Sequence, residues 1–132
     1  KELGLGRMVH AGEGRPPAEI AVAIEVLGAQ RIGHGTTLED DPRVLDLVLE
    51  RGVTIEACPT SNVHTGVIAS VDDHPLPRWL ARGVKACVNT DNTLFSDVTA
   101  AEEHARARAI PGMTDELLAR AISCGHAAAF PR

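Results

Sequence analysis

Apolar residues recur along this chain in two alternating rhythms. Short runs of β-branched and small residues, Arg7-Met8-Val9-His10, Arg31-Ile32-Gly33-His34, Val53-Thr54-Ile55-Glu56-Ala57 and Val84-Lys85-Ala86-Cys87-Val88, predict strands. A helical stretch follows each: Ala18 to Leu27, Arg43 to Arg51, a segment opened by His74-Pro75 and ended by Gly83, and another from about Val98 to Ala109. The punctuation agrees. Pro16-Pro17 and Asp41-Pro42 stand at helix starts, where a missing N–H costs nothing, and Gly28 and Gly52 stand where a helix ends with φ > 0. Ser96 or Asp97 is expected to cap the fourth helix. A last helix runs from Asp115 to about Ala128, started by Thr114 or Asp115, with Leu117, Leu118, Ala121 and Ile122 on its apolar stripe.

Strands that alternate with helices pair in parallel, because tight hairpins cannot join parallel neighbours. The class is therefore α/β, and residues 1–132 read as a single, partial domain. Periodicity alone leaves a doubly wound sheet and a barrel open. The polar residues favour the barrel: His10, His34, the Cys58–Asn62 segment and Asp91 each follow the C-terminal end of a strand, where barrel enzymes gather their sites. The expected architecture is part, about four strand-helix units, of a TIM-type (β/α)8 barrel.

Composition narrows the partners. With net charge -5, two Phe, one Trp and no Tyr, the chain offers neither a phosphate-tracking surface nor stacking platforms, which argues against nucleic acid. It has no long unbroken apolar run of the membrane kind. Cys58, Cys87 and Cys124 are odd in number and form no CxxC pair, so a disulfide framework is not expected and a reducing, cytoplasmic setting is. Lys1-Glu2-Leu3-Gly4 does not read as a signal peptide.

Taken singly, a strand-end histidine is more often a hydrogen-bonded surface group than a ligand. Together, His10, His34 and Asp91 offer the imidazole and carboxylate groups that bind catalytic zinc, which takes three or more protein ligands and keeps a place for water. Glu13, separated from His10 by the Ala11-Gly12 turn, is a candidate proton donor or acceptor over the same place.

Four segments in order, Val9-His10-Ala11-Gly12-Glu13, Arg31-Ile32-Gly33-His34-Gly35, Glu56-Ala57-Cys58-Pro59-Thr60-Ser61-Asn62 and Val88-Asn89-Thr90-Asp91, resemble the signature segments of the adenosine deaminase family. The run Cys58 to Gly66 is closer to bacterial adenosine deaminases than to adenine or AMP deaminases. The resemblance implies zinc-dependent hydrolysis of adenosine and deoxyadenosine to the inosine product in purine salvage. It implies that His10 and Asp91 are Zn2+ ligands, that Glu13 binds the purine and protonates its N1, and that His34 is the base and electrostatic partner of the metal-bound hydroxide. Many family members carry a second aspartate where Asn92 stands; since purine N7 is an acceptor, the Asn92 amide N–H suits it, although Asn92 also reads as a turn residue.

The family takes two more zinc ligands from a His-x-His pair on its first strand, and this chain has none. The resemblance thus implies a missing N-terminal half of the barrel, sticky outer strand edges, and weak zinc binding and negligible turnover for the segment alone. A purine-binding fragment without turnover, and a deaminase of adenine or a larger adenosine-containing metabolite, are the competing readings. His64, His74, His104 and His126, like the three cysteines, are expected to be structural. Pro59 to Asn62 is expected to be a turn shaping the pocket wall.

Overall fold

Along the chain run β1 (Met8–Ala11), α1 (Ala18–Glu25), β2 (Arg31–His34), α2 (Pro42–Arg51), β3 (Thr54–Ala57), α3 (Pro59–His64), α4 (Leu76–Ala81), β4 (Lys85–Val88), α5 (Thr93–Ser96), α6 (Ala100–Ala109) and α7 (Asp115–Ala128). These come from a computed structural model that describes residues 4–130. The four strands form one sheet in sequence order, β1-β2-β3-β4, and every neighbouring pair is parallel.

Because side chains alternate across a strand, register sorts them into rows. Val9, Ile32, Ile55 and Ala86 are aligned across the sheet, and all but Val9 are fully buried. They belong to one buried cluster with Ile20, Ile24, Val44, Val48, Trp79 and Leu80 from the helices. The next residues along, His10, Gly33, Glu56 and Cys87, form a row on the opposite face. There Glu56 makes an ion pair with Arg31 at 3.0 Å, and the Arg31 guanidinium lies 3.9 Å from the Phe130 ring centre. That Arg31 Nε makes no hydrogen bond, so its attraction to Glu56 is that of an ion pair without alignment along the N–H.

Helix boundaries follow local chemistry. Asp41 caps α2 by accepting from Arg43 N at 2.9 Å, Pro42 takes the first helical position, and Gly52 ends the helix at φ 60°. The fourth long helix starts later than expected. Thr99 rather than Ser96 or Asp97 caps it, through a reciprocal pairing with Glu102, and Asp97 instead closes the short α5 at φ 46°. The larger departure is Pro59–His64, expected as a turn and found as the helix α3, with proline at its start. No helix among the described residues is long and apolar enough to cross a membrane.

Candidate active site

The C-terminal ends of β1, β2 and β4 bring three polar groups together. His10 is the last residue but one of β1, with its ring laid across Gly33 of β2, where a Cβ would come within 2.4 Å of the ring. Only glycine permits that approach, so Gly33 sets the place of His10 as much as β1 does. His34 closes β2, and its ring meets the His10 ring edge-on, centroids 4.7 Å apart. Asp91 follows β4. One ligand atom from each of His10, His34 and Asp91 lies within 4.8 Å of the others. Two ligands at about 2.2 Å on opposite sides of a zinc ion are about 4.4 Å apart, so the group is close to the size of one ion. His34 and Asp91 both have left-handed backbone, φ 69° and 57°, a conformation that side chains with a Cβ seldom adopt.

Burial divides the group. His34 is 1% exposed, whereas His10 and Asp91 are exposed. Glu13 reaches His34, with Oε2 3.6 Å from Nε2, and its other oxygen accepts from Thr65 Oγ1 at 3.2 Å. The turn between His10 and Glu13 depends on Gly12, at φ 67°, where a Cβ would strike Ile20 at 2.6 Å. Asn92 accepts from Leu94 N and Phe95 N through Oδ1 and so caps α5, as a turn residue does. Its amide keeps N–H groups on the other atom, Nδ2.

Two residues of the segment expected to shape the pocket wall hold the site. Ser61 Oγ donates to Asp91 Oδ2 at 2.7 Å, and Asn62 Nδ2 lies 3.1 Å from His34 Nδ1. Both sit on α3. That helix has no cap of its own; Glu103, fully buried on α6, accepts from Thr60 N at 2.8 Å and from Thr60 Oγ1, and Arg106 donates to the same Oγ1 at 2.8 Å. A carboxylate from another element thus does the work of an N-cap. The Cys58–Asn62 run marked this region in the sequence, but no local signal pointed to Glu103.

Burial lowers the His34 pKa, and neighbouring His10 lowers it further, against the opposing pull of Glu13, Asp91 and Glu56. His34 therefore stays neutral at a lower pH than an exposed histidine would. Burial also raises the Cys58 thiol, and pushes Cys87 up to about 12, which leaves both as inert core groups. His74, buried with a pKa of about 3, accepts from Leu76 N at 3.1 Å and packs edge-on against Trp79. These groups behave as the structural residues expected of them. His10, Gly33, Glu56, Cys58, Asp91 and Glu103 line a cavity of about 400 Å³ on the polar face.

Comparison with known proteins agrees with this geometry. Residues 1–131 match the sequence model of the family described as adenosine deaminase. An adenosine deaminase of Serratia proteamaculans is 39% identical over 130 residues, which cover 98% of this chain and 39% of that protein. The adenine deaminase of Arthrobacter aurescens superposes with a TM-score of 0.92 at 30% identity, over 99% of this chain and 40% of its own. An amidohydrolase from Burkholderia ambifaria, solved with bound zinc, gives 0.86 at 25% identity over 99% and 37%. The chain spans about two fifths of the length of these relatives, and its sheet is one part of a (β/α)8 barrel. Matched along almost its whole length by sequence and by fold, the chain belongs to the adenosine deaminase family.

Proposed function

We propose that this chain is the C-terminal part of a zinc-dependent deaminase that converts adenosine and deoxyadenosine to their inosine products in cytoplasmic purine salvage. The observation that carries the reading is the convergence of His10, His34 and Asp91 within 4.8 Å, with Glu13 beside them. An imidazole and a carboxylate suit zinc, and His10 and Asp91 are the ligands this chain supplies. Bound zinc would lower the pKa of a water toward neutrality.

The remaining chemistry falls to side chains. Glu13 binds the purine and gives a proton to N1, which makes C6 electrophilic as water adds there; of that water's two protons one passes to the amino group, which leaves as ammonia when the C6–N bond breaks, and the other restores Glu13. His34, next to Glu13, faces the attacking water. Asp91 holds that water with an orientation fixed by Ser61. Asn92 offers its Nδ2 hydrogens to N7 while its Oδ1 caps α5.

The polar cavity opens to solvent, and the upstream half of the barrel would cover it and supply the remaining zinc ligands. Zinc content and adenosine-to-inosine conversion, measured on the chain alone and mixed with a separately made N-terminal half, test this. Activity and stoichiometric zinc only in the mixture are expected; strong activity of the chain alone, or none in either, overturns it. Adenine is the second reading, favoured by the TM-score of 0.92 to an adenine deaminase. Faster turnover of adenine than of adenosine by the mixture would select it.

A further inference from the structure

Asn62 lies on α3 rather than on a strand, yet it is fully buried, 0% exposed, and its side-chain amide lies 3.1 Å from His34 Nδ1. It does not move freely there. Its backbone O accepts from Val67 N at 2.9 Å and from Ile68 N at 3.2 Å, and α3 is held from beneath by Glu103. A primary amide can turn either end toward an imidazole nitrogen, and the two choices have opposite consequences.

With Nδ2 toward His34, Asn62 donates to Nδ1, and the atom left without a partner is the carbonyl Oδ1. With the amide reversed, two N–H groups would be left in that position instead. A buried carbonyl without a partner is tolerated more readily than a buried N–H, which favours the first arrangement. On the other side of the ring Glu13 Oε2 lies 3.6 Å from Nε2, too far for a hydrogen bond, so it is Asn62 that decides the tautomer.

We propose that Asn62 is a positioning residue that fixes His34 as the tautomer with its hydrogen on Nε2. Neutral His34 then presents an N–H, not a lone pair, to the cluster formed with His10, Asp91 and Glu13. Of the two functions open to His34, it serves as hydrogen-bond donor and electrostatic partner and is closed to proton acceptance while Asn62 holds Nδ1. This consequence rests on the deaminase reading; the tautomer itself does not.

The test is a long-range 1H–15N correlation of the metal-free chain labelled with 15N-histidine, at a pH where His34 is neutral, with its signals identified by their loss in His34→Gln. A protonated, pyrrole-type Nε2 and an unprotonated, pyridine-type Nδ1 are expected. Asn62→Asp puts an acceptor against Nδ1 and should exchange the two shifts, and Asn62→Ala should bring them toward a common average. A protonated Nδ1 in the unaltered chain, or shifts indifferent to both substitutions, overturns the proposal. Neither metal nor nucleoside enters the measurement, so the expected tautomer in a protein whose reconstituted form deaminates nothing would refute the deaminase reading and leave this one standing.

Discussion

At the ends of β2 and β3, His34, Ser61 and Asn62 are buried, and each has a hydrogen-bonded or charged partner from elsewhere in the chain. At the ends of β1 and β4, His10 and Asp91 stand in the open, and beyond Asp91 the side chains of Leu94 and Phe95 are 95% and 72% exposed. One side of the site is packed to interior standards by the chain itself; the other presents apolar surface and ligand atoms that nothing among the described residues covers. The difference teaches where rigidity comes from. The first side owes it to side chains already locked in a core, and the second waits for a surface to close on it.

Core substitutions probe that contrast hardest. Ile55→Ala, at the centre of the buried row on β3, is expected to cost about 2–5 kcal/mol in urea unfolding. Leu94→Ala, beside Asp91, should stay within about 0.5 kcal/mol. Equal costs would dissolve the distinction between the two sides.

Glu103→Ala sharpens it. Removing the buried carboxylate leaves Thr60 N and Thr60 Oγ1 without an acceptor, at a cost of about 1–3 kcal/mol. Amide hydrogen exchange should accelerate in α3, at Ser61 and Asn62 above all, and remain unchanged in α2. Uniform acceleration through the fold would show that Glu103 supports the core as a whole rather than the platform under His34 and Asp91.

The packed side also carries a pH slope. In the folded chain burial holds His74 at about 3, against an ordinary 6.5. Between those values the unfolded chain binds the proton and the folded one does not, so stability is present above pH 6.5 and falls as pH drops toward 3, by at most about 1.4 kcal/mol per unit. Unfolding measured at intervals from pH 7 to 4 should show the decline, and His74→Asn should flatten it. An unchanged slope would mean that other groups carry the acid sensitivity of the packed side.

Much of this was legible before any coordinates. The four strands, their parallel order and the placing of His10, His34 and Asp91 at strand ends follow from local alternation and from proline and glycine, whose effects act within a few residues. The start of α6 was placed at Ser96 or Asp97, although Thr99, three residues before Glu102, carries the spacing of a reciprocal cap. α3 was not legible. It has six residues, too few for a periodic stripe, and it is capped by a carboxylate 43 residues downstream, a partnership that no window of neighbouring sequence contains. For the same reason the sequence showed Ser61 and Asn62 as part of a motif without showing what each one holds.

The left-handed backbone at His34 and Asp91 bears on any attempt to engineer this protein. Such conformations cost about 1–3 kcal/mol each where a Cβ is present, and glycine relieves that cost. A search for heat-resistant variants that screens folding alone would therefore be drawn toward glycine at 91, where the side chain is exposed, and would enrich sturdier chains from which the carboxylate has been lost. Thermostability selections on this fold need a functional readout at every round, because its chemistry is lodged where its backbone is least at ease.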